Sequence, residues 1–180
     1  GRDGLEPMPI IESAVTSQQS TLTIADIDRD GLPDRIFFPE EARVDVFLGK
    51  GRSPPPGAPS FSIPLSRRYW SIDVADLDGD GILDIAGTDV IKGNVMAALL
   101  DGKGGVREET TLTVCAITGP VAAGRLDEDD LPDLAVPGII PNQIAVCRNV
   151  GGGRFELARR VPTLSKPTRC IARDFDADGI

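Results

Sequence analysis

Short apolar runs alternate along this chain with turns rich in Asp, Gly and Pro, and the runs fall into sets of four. The lengths are those of strands, and no stretch keeps a helical period. First strands are expected at 22–25, 71–75, 121–124 and 170–173, and second strands at 34–38, 84–87 and 133–136. Third strands follow at 44–48, 95–100 and 144–148, each ending in a glycine-rich turn at 49–51, 102–105 and 151–153. Fourth strands run at 60–65, 107–114 and 154–161. Four short, mostly apolar strands per repeat make a propeller-blade pattern of sheets stacked on both faces. The expected fold class is therefore all-β, a β-propeller of four-stranded blades. Blade 1 spans 21–66, blade 2 spans 67–115, blade 3 spans 116–164, and 165–180 begin a fourth. Residues 1–20 form an N-terminal segment, in which 9–16 read as an outer strand of a preceding or closing blade.

The turn between first and second strands carries the chemistry. It reads Asp26-Ile27-Asp28-Arg29-Asp30-Gly31-Leu32-Pro33-Asp34, and returns as Asp76-Leu77-Asp78-Gly79-Asp80-Gly81-Ile82-Leu83-Asp84. A worn copy spans 125–133 and a fourth begins at Asp174, so the steps are 50, 49 and 49 residues. Clustered carboxylates repel one another, and a divalent cation removes that cost. Alternate spacing points positions 1, 3 and 5 inward, Gly at position 6 permits the sharp turn, position 7 offers its carbonyl, and position 9 adds a carboxylate. Calcium is the expected cofactor. Its ligands are Asp26, Asp28, Asp30, the carbonyl of Leu32 and Asp34 in the first loop. In the second they are Asp76, Asp78, Asp80, the carbonyl of Ile82 and Asp84. Asp174, Asp176 and Asp178 begin a further site.

An EF-hand would need Glu at position 12 and helical flanks. Position 12 is Phe37 or Gly87, and the flanks are strand-like, so that reading fails. Isolated acidic turns are the simple alternative, and the constant spacing argues against it. In the third loop Arg125 replaces the first ligand and Asp130 the turn glycine. Either Arg125 supplies charge where the metal is lost, or a weaker site survives on Asp127, Asp129 and Asp133.

The net charge of −9 has a local origin. The four loops hold 16 of the 28 acidic residues and 2 of the 19 basic ones, which leaves the rest of the chain with a surplus of five positive charges. That surplus forms no cluster suited to nucleic acid. With no His, the usual general base and the commonest zinc ligand are missing. Cys115, Cys147 and Cys170 form no CxxC pair and sit in apolar contexts. They read as buried free thiols, with one disulfide plus an odd thiol as the alternative. No apolar run is long enough to span a membrane as a helix. The Gly start and the end inside a metal loop lead us to expect a piece of a longer array. Further blades in the same chain, or another subunit, would close the ring.

The two intact loops, followed by Val-Asp-Val-Phe-Leu-Gly-Lys-Gly at 44–51, resemble FG-GAP or VCBS-type repeats. These are the calcium-bearing blades of integrin α-subunit propellers and of many bacterial surface proteins. The resemblance runs from about Thr21 to Ile180, although the Phe-Gly pair of the family's named arrangement is missing. It implies a non-catalytic, calcium-stabilised propeller that recognises protein or carbohydrate, or mediates adhesion, in an extracellular, periplasmic or cell-surface setting. Ligands would meet the face opposite the calcium loops, where Arg67, Arg68, Tyr69 and Trp70 form the candidate ligand face. The alternatives are a propeller domain of a polysaccharide-active enzyme, or a structural subunit of a larger assembly. The enzyme reading finds no nucleophile motif such as GxSxG, and carboxylate pairs occur only inside the metal loops.

Overall fold

In the computed structural model, residues 21–39, 41–49 and 58–173 are described. They form thirteen strands and three main antiparallel sheets. The first sheet holds β1 (Thr21–Ala25), β2 (Asp34–Phe38), β3 (Arg43–Phe47) and β4 (Phe61–Pro64) in chain order. The second holds β5 (Ser71–Ala75), β6 (Asp84–Asp89), β7 (Asn94–Leu100) and β8 (Val106–Thr113), also in order. The third holds β10 (Ala122–Gly124), β11 (Asp133–Ile140), β12 (Gln143–Asn149) and β13 (Phe155–Pro162). A two-residue strand that the sequence pattern did not signal, β9 (Ile117–Thr118), pairs with the far end of β11. Each sheet is a meander whose strands meet the neighbour next in sequence, as in a propeller blade.

The pattern of buried residues explains why the third strand of the second sheet, β7, is nearly all apolar. In β7, Met96, Ala98 and Leu100 enter a core shared with the first sheet, which contributes Ile36, Phe38, Val44 and Val46. The intervening Val95, Ala97 and Leu99 enter a second core with Leu134, Val136, Ala145 and Cys147 of the third sheet. Side chains alternate across a strand, so a strand between two neighbours must be apolar at every position. The cores therefore lie between sheets. The first strands lie side by side, β1 against β5 and β5 against β10.

The strand expected at 170–173 is not formed. In each sheet the first strand pairs with the second strand that leaves its own loop. For 170–173 that partner would start at position 182, beyond this sequence. The segment still lies beside β10: Cys170 Sγ donates to the Ala135 carbonyl at 3.2 Å, and the Ala172 methyl touches Gly124. The expected outer strand at 9–16 and Asp174, Asp176 and Asp178 lie outside the described residues.

All three cysteines are free thiols. Burial pushes Cys147 up to about 12 and Cys170 up to about 11, which leaves little thiolate at neutral pH.

Candidate metal centre

The first two loops build the same turn from local hydrogen bonds. In the first, Asp28 Oδ1 accepts from Asp30 N at 3.2 Å and Asp30 Oδ1 from Leu32 N at 2.8 Å. In the second, Asp78 Oδ1 accepts from Asp80 N at 3.2 Å and Asp80 Oδ1 from Ile82 N at 2.8 Å. Such side-chain-to-backbone bonds two residues apart curl the loop without regular structure. Position 1 closes the curl: Asp26 Oδ2 accepts from Gly31 N at 2.9 Å, and Asp76 Oδ2 from Gly81 N at 2.7 Å. Those glycines sit at φ 85° and 83°, a region where a side chain would be strained.

The curl gathers carboxylates. Asp26, Asp28 and Asp34 each bring one oxygen within 4.8 Å of the others, and so do Asp76, Asp78 and Asp84. That span is twice a calcium–oxygen bond of about 2.4 Å. The donor set fits a hard cation, since it is all oxygen, and one donor lacks any partner. Asp26 Oδ1 is fully buried and accepts no hydrogen bond. An uncompensated carboxylate oxygen of this kind is costly until a cation or donor reaches it. Positions 1, 3 and 9 are thus brought together. Asp30 and Asp80 stand outside these groups, and the Leu32 and Ile82 amides, at position 7, lock the turn.

The ninth aspartate has a second role that spacing alone did not signal. Asp34 accepts from Ile27 N at 2.8 Å and from Gly49 N at 2.7 Å. Asp84 repeats the pattern with Leu77 N at 2.9 Å and Leu100 N at 2.8 Å. It thereby ties the start of the loop to the end of the third strand, and it is wholly buried. Desolvation raises its carboxyl to about 6 against the lowering pull of those two amides, with Asp78 and Asp80 adding repulsion. A bound cation would oppose both raising effects.

The third loop keeps only part of this construction. Asp133 Oδ1 accepts from Asn149 N at 2.8 Å, so the tie to the third strand survives. Arg125 ion-pairs with Asp130 and donates from Nε to the Asp129 carbonyl at 3.2 Å. Among the described residues, Asp127, Asp129 and Asp133 do not form a three-carboxylate group. Arg125 thus places positive charge on the worn loop. Asn149 links this loop to the second, donating from Nδ2 to the Leu77 carbonyl at 2.8 Å and to the Pro132 carbonyl at 3.0 Å.

The candidate ligand face divides in the structure. Tyr69 is 2% exposed and belongs to the core between the first and second sheets. Arg67 and Arg68 are exposed, Trp70 is half-buried, and the Arg68 guanidinium lies 5.2 Å from the Trp70 ring centroid. Only Arg67, Arg68 and part of Trp70 can meet a ligand.

Four-stranded antiparallel sheets, each with a curled aspartate loop between its first and second strands, define a blade-like repeat. Residues 26–87, which run from the first metal loop through the second, match the family model described as FG-GAP-like repeat. This part of the chain is an FG-GAP-type repeat. No curated protein matches the chain.

If calcium fills these loops, a chelator should lower the melting temperature of the chain by several degrees, and Ca²⁺ should restore it with about two ions bound per chain. A melt indifferent to the chelator, with no ion bound, would reduce the loops to acidic turns.

Proposed function

We propose that the chain is part of a calcium-stabilised, non-catalytic β-propeller that recognises protein or carbohydrate ligands outside the cytoplasm. The observation that carries this reading is the pair of carboxylate groups at the same place in two successive blade-like sheets, one of them with a buried, unpartnered oxygen. The FG-GAP-type match at 26–87 supports it, because such repeats are typical of extracellular proteins. Neighbouring first strands, β1 beside β5 beside β10, fit blades arranged around a common axis, with further blades or a partner subunit completing the ring. No helix among the described residues is long and apolar enough to cross a membrane.

Calcium would be structural in this reading. It would hold the first-to-second-strand loops on one face, while ligands meet the connections on the other. Those connections are braced by backbone bonds: Thr118 N donates to the Val90 carbonyl of the second sheet's turn at 3.2 Å, and Ala116 N to the Ile140 carbonyl beside β9 at 3.2 Å. Arg67, Arg68 and the open side of Trp70 would supply contacts there, in a form suited to acidic or sugar ligands.

The test is binding of the intact protein to immobilised glycans and candidate surface proteins. R67A/R68A should weaken binding at least about tenfold with an unchanged melt. Unaltered binding would remove these arginines from the ligand face. Release of reducing sugar from a polysaccharide would favour the enzyme alternative.

A further inference from the structure

The second loop holds a cation of its own. Arg107, on β8 of the same sheet, ion-pairs through Nη2 with Asp78 Oδ2 and donates through Nη1 to Asp80 Oδ2 at 3.2 Å. The other oxygens of these carboxylates already accept the loop amides Asp80 N and Ile82 N. The guanidinium therefore takes the outward oxygens that the curl leaves over. The Asp78 side chain beneath it is only 9% exposed.

The first loop makes the same two turn bonds, yet among the described residues no cation pairs with Asp28 or Asp30. In the third sheet the position one repeat beyond Arg107 is Glu156, of opposite charge. A second guanidinium also reaches the second loop. Arg29 of the first loop lies so close to Gly81 that a Cβ there would fall 2.8 Å from its Nη2. Two otherwise similar carboxylate sites thus sit in different electrostatic settings.

We propose that Arg107 is a resident competitor for the cation of the second loop, holding Asp78 and Asp80 until Ca²⁺ displaces it. The proposal rests on the calcium reading above and deepens it. Asp78 belongs to the gathered carboxylate group, so its Oδ2 cannot turn fully toward a metal while paired with the guanidinium. Cation entry must break a charge-assisted pair, and the affinity falls by the worth of that pair. By reciprocity the pair neutralises the loop when calcium is scarce, so the second loop stays folded without its ion. Among the described residues the first loop has no such substitute. The two sites would fill at different calcium concentrations, and filling the second would release a guanidinium at the rim of the loop face.

The experiment is calcium binding by calorimetry on the full chain, comparing wild type, R107A and R107Q, with D76N marking the second site. The calcium-binding class that D76N abolishes should be the weaker one in wild type. It should tighten roughly tenfold in R107A and R107Q, while the other class is unchanged. With chelator present both variants should melt below wild type, and the deficit should vanish at saturating Ca²⁺. Unchanged or weakened binding at the second site, or chelator melts equal to wild type, would overturn the proposal while leaving structural calcium standing. Absence of bound calcium in every variant would instead remove the calcium reading and this proposal with it.

Discussion

Replacing Asp84 with alanine is expected to destabilise the chain by about 3 kcal/mol even in chelator, and by more in calcium, where a carboxylate of the gathered group is lost as well. Both oxygens of Asp84 accept buried backbone amides, Leu77 N and Leu100 N. Alanine leaves two donors buried without acceptors, each costing about 1–3 kcal/mol. Part of that is offset, because burial already penalises the charged carboxylate and lifts it to about 6. D84N should be little better, since its amide group turns donors toward at least one of the two amides. D76N touches a proposed calcium ligand outside this tie, and its effect should shrink in chelator. Denaturant melts of the three variants with and without calcium separate the roles. If the D84A deficit disappears in chelator, Asp84 is a ligand and little more.

The second large effect concerns Tyr69, a residue whose sequence neighbours point to the surface. Its ring packs 6.4 Å from that of Phe38 and lies over the Gly87 backbone, where a Cβ would come within 3.1 Å of Tyr69 Cγ. Truncation to alanine opens a cavity between the first and second sheets, and such losses cost about 3–5 kcal/mol. For a chain of this size that is a fall of about 10 °C in melting temperature. The single tryptophan, Trp70, is the next residue, so its fluorescence reports the same opening. A variant that melts like wild type but has lost ligand binding would return Tyr69 to the recognition face.

Local features were legible in the sequence. The aspartate loops could be read because Asp at alternate positions and Gly at φ near +85° act within nine residues. The third strand of the second sheet could be read because Val95 through Leu100 are apolar without interruption. Longer-range features were not legible. The tie from Asp84 runs 16 residues forward to Leu100, and the pair from Asp78 runs 29 residues to Arg107. Neither separation carries a motif. Tyr69 sits among two arginines and a tryptophan, a composition that fits a binding patch and an interior edge equally well. The short β9 had no pattern at all, because two residues are too few to show alternation. The strand expected at 170–173 shows the opposite limit: its residues suit a strand, but a strand needs a partner as well as a propensity.

The alternation within β7 sends every second side chain to one neighbour and the rest to the other. Such a sheet owns no interior of its own. Its free energy is held in the two seams, much as a stone in an arch is held by the stones on either side. Stability should then accumulate seam by seam, as in linear repeat proteins, and cooperativity should reach only as far as the seams are dry. The Asn149 amide, bonded to carbonyls of the second and third loops, places a polar clasp at one end of such a seam. A cation that stiffens the second loop would thereby also press on the third, which lacks a three-carboxylate group of its own.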